Sequence, residues 1–140
     1  MEYREVTDET KELFELAISD LGLDHYIEFQ IVDADLKKSI YEVKKMTPLN
    51  KYLSKTDIVL LINEEVFLQL ESEHQKMVLD EALAPIHFDV EKEKIIISKP
   101  DFITFSGILS KHGYDEYKRM KEIVRLTILG LNERKEEMVS

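Results

Sequence analysis

With 4 histidines, 29 carboxylates and no cysteine, the chain can support only a narrow range of chemistry. The missing cysteine removes a thiolate nucleophile, a thiolate metal site and any disulfide framework. Residues that could ligate a metal concentrate between Ser72 and Asp89. Glu81 lies near the end of an apparent helix, and His87 and Asp89 alternate just beyond it. Imidazole and carboxylate suit ions such as zinc, so Glu81, His87 and Asp89 form one candidate metal set. A plainer reading makes His87 an exposed hairpin residue and Asp89 a turn carboxylate. His74 reads as a solvent-facing residue of the first helical turn, and His112, before Gly113, as a helix C-terminal residue favoured by the dipole. His25 carries no partner pattern, and Tyr41, Tyr52 and Tyr114 read as partly buried rings. No Ser-His-Asp or Cys-His arrangement occurs, and 4 glycines are too few for a phosphate-cradling loop. The residues alone identify no catalytic group and imply no cofactor.

Local signals define the elements that must position these groups. Ser72 followed by Gln75 is a capping-box pattern, and Pro85 forces the central helix to stop near Ala84. Upstream, Thr7 or Asp8 caps a helix with Phe14, Ala17, Ile18 and Leu21 at helical spacing, and Gly22 ends it. His25 to Val32 alternates as a half-buried strand, Asp33-Ala34-Asp35 reads as a turn, and Ser39 to Lys45 as a second strand. Thr47-Pro48 opens a short helical turn through Tyr52 and Leu53. Ile58 to Ile62 is an unbroken apolar run, expected to be a central strand buried on both faces. Asn63 caps a helix from Glu64 to Leu70. Phe88-Asp89-Val90 and Ile95-Ile96-Ile97 flank a charged turn as a hairpin. Lys99-Pro100-Asp101 starts a helix closed by Gly113, and a last helix runs from about Asp115 towards Glu137, with a charged tail over 133–140 expected to fray. These elements predict one α+β domain over 1–140: a short mixed sheet from the first three strands, packed by the Ser72 to Ala84 helix, with further helices at both termini.

Composition sets limits on partners. The formal net charge of -10 disfavours phosphate-backbone binding, so nucleic acid is a poor expectation and a protein partner, basic in character, a better one. The run Ile58 to Ile62 is far short of the ~20 residues of a membrane span, and the N-terminus is acidic rather than signal-like, so no membrane association and a cytoplasmic location are expected.

Three segments carry a resemblance. They are Thr56-Asp57-Ile58-Val59-Leu60-Leu61-Ile62 before a short helix, Gln75 to Ile86, and Pro100-Asp101-Phe102-Ile103-Thr104-Phe105 leading to Lys111-His112-Gly113. In order and spacing, from roughly Ile40 to Gly113, the chain resembles the putative phage metallopeptidases, zincin-like proteins of phages and mobile elements. Gln75 to Ile86 falls where that family has its D-H-E-L-x-H helix, and the last segment is similar to its D-F/V-x-x-F and R-H/Y-G signatures. The resemblance implies a small zincin-like fold, with two histidines one turn apart holding zinc and a glutamate deprotonating the bound water.

This chain departs from the pattern at those positions. With Asp80 and Leu83 in register, Glu81 stands at the first histidine, Ala82 at the glutamate and Pro85 at the second histidine. A shift by one restores Glu81 as the base but leaves Asp80 and Ala84 as ligands, and alanine binds no metal. The expectation is therefore a protein that is not an enzyme: a non-catalytic metallopeptidase-like module of phage or mobile-element origin that binds a protein, such as a host or defence protein it inhibits, in the host cytoplasm. The alternatives are a metal-dependent hydrolase using Glu81, His87 and Asp89, and a virion or assembly component.

Overall fold

The computed structural model describes residues 2–98 and 102–139, with side chains placed for 2–98 and 107–135. The elements run β1 (Tyr3–Glu5), α1 (Asp8–Asp20), β2 (Phe29–Ala34), β3 (Tyr41–Lys45), α2 (Pro48–Ser54), β4 (Ile58–Ile62), α3 (Glu64–Phe67), α4 (Ser72–Leu83), β5 (Ile86–Asp89), β6 (Lys94–Ile97), α5 (Phe102–His112) and α6 (Tyr114–Val139). The fold is α+β. A four-stranded mixed sheet in the order β1-β2-β4-β3 stands apart from the β5-β6 hairpin. β4 lies parallel to β2, pairing Ile58 with Phe29 and Ile62 with Asp33, and antiparallel to β3, pairing Tyr41 with Ile62 and Lys45 with Ile58.

The apolar run of β4 takes a central place because both of its faces are covered. Ile58, Leu60 and Ile62 join the main core with Phe14, Phe67, Met77, Leu79 and Leu83, while Leu61 packs with Ala34 and Leu36 on the opposite face. Successive strand residues point to opposite sides, so five apolar residues in a row can only be accommodated between two layers. α4 contributes Val78, Leu79, Ala82 and Leu83 to the core. α6 lies against it through Met120, Val124, Ile128 and Leu131, the helical stripe legible in its spacing.

Several boundaries differ from the sequence reading. Asp33 and Ala34 do not form a turn: β2 continues through them because β1, hidden in the short acidic lead, pairs antiparallel with Val32, Asp33 and Ala34. Arg4 closes that edge with hydrogen bonds from Nε to Asp33 Oδ2 and from Nη2 to Asp35 Oδ1, both 3.1 Å. His25 belongs to a 3₁₀ turn over Leu23–His25 that follows Gly22 in the left-handed region, so the strand starts later, at Phe29. α3 stops at Phe67. α4 begins at Ser72 with Glu71 as cap and no side-chain cap bond, and the Gln75 amide donates instead to Phe67 O at 3.0 Å, so no capping box forms. Tyr52 and Tyr114 are not partly buried but 81% and 58% exposed. α6 extends to Val139, two residues past the expected Glu137. The expected helix start at Lys99-Pro100-Asp101 lies outside the described residues.

Candidate functional site

α4 places Asp80 and Glu81 side by side where its buried stripe gives way to solvent. Neighbouring helix positions diverge by about 100°, so the two carboxylates serve different partners. Asp80 faces the end of α5: its Oδ2 lies 2.6 Å from His112 Nε2 and 3.0 Å from Lys111 Nζ. The Lys111-His112-Gly113 segment is thereby locked to α4, and Gly113, at φ 86°, makes the left-handed turn from which α6 departs. His112 is the C-terminal residue of α5, as expected, and is also a partner of Asp80.

Glu81 faces β3 and α6. Tyr41 donates its hydroxyl to Glu81 Oε1 at 3.0 Å, Tyr117 donates to Oε2 at 2.9 Å, and Lys121 Nζ forms an ion pair with Oε1. Tyr117 and Lys121 are one turn apart on α6, and the ammonium also stands 5.5 Å from the Tyr117 ring centroid, within cation–π range. Burial pushes both phenols well above the ordinary tyrosine range, and the Glu81 charge and the hydrogen bonds to it add to that. Both therefore stay protonated donors across the neutral range.

Other expected groups are dispersed. His87 is an exposed residue of β5 opposite Ile96, and Asp89 Oδ1 accepts the amides of Glu91 and Lys92 at 3.1 and 3.2 Å, which closes the hairpin turn. Glu81, His87 and Asp89 are not brought together, and no set of three or more His, Cys, Asp or Glu side chains among the described residues is placed to hold a metal. Ala82 is buried and offers no ligand atom, and Pro85 follows the helix end. Glu81 has both oxygens engaged by the Tyr41 and Tyr117 hydroxyls. The donor set at these positions does not fit a zinc ion. His74 is not solvent-facing but only 2% exposed, its Nε2 lying 3.3 Å from Glu116 Oε2.

Tyr117 and Lys121 escaped the sequence reading altogether. Tyr117 falls at the helical spacing of the apolar residues of α6, and only the arrival of Glu81 from a remote helix gives the pair its role.

These features define an α+β protein whose central helix presents a carboxylate site between an edge strand and a long C-terminal helix. The family model of the putative phage metallopeptidases matches residues 2–126, and the chain belongs to that family. No curated protein and no solved structure matches it. Membership reaches beyond the Ile40 to Gly113 resemblance to take in β1, α1 and the first part of α6. It also overturns the expectation that the chain is not an enzyme, because the family is that of the putative phage metallopeptidases. Among the described residues, no helix is long and apolar enough to cross a membrane.

Proposed function

We propose that this phage-associated, metallopeptidase-like protein engages a protein partner as an extended segment laid along β3, beside Glu81. The observation that carries this reading is the open edge of β3. Asn63 N donates to Ile40 O and Met46 N to Asp57 O, both at 2.8–2.9 Å, so the even-numbered residues between them bond to β4. By antiparallel alternation, Tyr41, Val43 and Lys45 turn their N–H and C=O groups outward, where Tyr41 O also accepts Ser39 Oγ at 3.1 Å. An unpaired strand edge is a template for a further strand, with backbone bonds supplying affinity and nearby pockets supplying selectivity. Glu81, Tyr41 and Lys121 line such a groove at the N-terminal end of that edge.

Binding of an extended chain is the step that a peptidase and a protein-binding module share. The test is amide hydrogen exchange followed by NMR, during titration with a pool of synthetic unstructured peptides. The amides of Tyr41, Val43 and Lys45 should gain protection while those of β1 do not. Protection confined to other elements would remove the reading.

A further inference from the structure

We infer that the groove between the approach to β3 and α6 selects an acidic polypeptide segment that carries an apolar side chain. This rests on the docking reading above. The groove encloses about 490 Å³. Ile40, Val124 and Ile128, all buried, form its floor, so it can take an apolar side chain.

Its rim has the opposite sign to the molecule. Lys37, Lys38, Lys121 and Arg125 line it, with Glu81 as the one acidic residue, whereas the whole chain carries 19 basic and 29 acidic residues. Lys121 is paired with Glu81, and Arg125 Nη2 with Glu122 Oε1 at 2.6 Å. Lys37 and Lys38 form no ion pair among the described residues, so the groove keeps two uncompensated ammonium groups. The backbone of Lys37 is held in place by α6, where Asn132 Nδ2 donates to Lys37 O at 3.1 Å. A peptide entering the β3 edge would pass these lysines first, where carboxylates replace the missing counter-charges. The basic partner expected from net charge concerns the long-range field of the molecule, while this groove is a local inversion of that field.

Nucleic acid offers the same negative charge but fits less well. Tyr41, the one aromatic ring of the lining, is tied to Glu81 and gives no run of stacking platforms, and four cations within a field of -10 make a poor phosphate track.

Fluorescence anisotropy on the full chain tests this with three labelled peptides sharing one central leucine, flanked by glutamate, glutamine or lysine. A single-stranded oligonucleotide of charge equal to the acidic peptide serves as a fourth probe. The acidic peptide should bind on the order of tenfold more tightly than the glutamine peptide and weaken as salt rises. That preference should vanish in the Lys37→Glu, Lys38→Glu double variant, whose exposed positions leave the fold intact by circular dichroism. If the glutamine peptide binds equally well, or the double variant keeps the preference, this inference falls and the docking reading stands. If no peptide binds, both fall. Tighter binding of the oligonucleotide overturns the peptide class.

Discussion

Glu81 illustrates how one carboxylate can be held by groups from two remote elements. Its carboxylate takes two phenol hydroxyls, one from β3 and one from α6, and an ammonium from α6. That environment has a signature at alkaline pH. Tyr41 and Tyr117 have folded-state values raised above the ordinary 10.0, chiefly by burial and then by Glu81. Because the folded state holds these protons more tightly than the unfolded chain, their stabilising contribution is fully present below pH 10.0 and is lost as pH rises beyond it. Spectrophotometric titration of tyrosinate should therefore show that Tyr41→Phe and Tyr117→Phe each remove absorbance from the high-pH end of the curve. Glu81→Gln, which removes the neighbouring charge, should move that end to lower pH. Loss of absorbance from the first part of the curve in the phenylalanine variants would show that the two phenols are not held by Glu81.

At the scale of elements, α4 organises the molecule through two faces. Its buried face sets stability: Leu83 is 1% exposed and lies within the main core, so Leu83→Ala should cost roughly 2–5 kcal/mol from lost transfer energy and the cavity left behind. Denaturant unfolding checks this, and a cost below about 1 kcal/mol would mean that the site collapses or that the face is misassigned. Its rim sets placement, with Asp80 fixing the end of α5 and Glu81 tying β3 to α6. Two connections of this kind were invisible in the sequence because they join remote segments. Asp33 Oδ1 accepts Glu64 N at 3.1 Å, and the Glu64 carboxylate accepts Thr7 N at 2.9 Å, so residues read separately as a turn, a helix start and a cap form one bridge between β2, α3 and α1. His74 likewise had nothing in its neighbours to mark it as buried until α6 covered it with Glu116.

For the molecule as a whole, charge is the dominant property. A net charge of -10 repels itself in the compact state, and many of the ion pairs are solvent-exposed and individually worth little, so screening should help the fold more than it harms it. Thermal melts should shift upward as ionic strength rises from about 0.01 M to about 0.15 M, over which the Debye length falls from roughly 30 to 8 Å. A downward shift would show that the ion pairs outweigh the net repulsion. The sequence by itself determined what depends on near neighbours. Proline at the end of α4, threonine and asparagine caps at Thr7, Thr47 and Asn63, the two-sided apolar run of β4 and the stripe of α6 act through local backbone geometry and periodicity, and all are present in the structure. Tertiary structure alone decided that β1 pairs with β2, that Asp33 lies in a strand, and that Glu81 meets Tyr41, Tyr117 and Lys121. A three-residue exposed strand has no hydrophobic alternation to announce it, and a carboxylate's partners 36 to 40 residues away are set by how helices and strands pack, which no local spacing encodes.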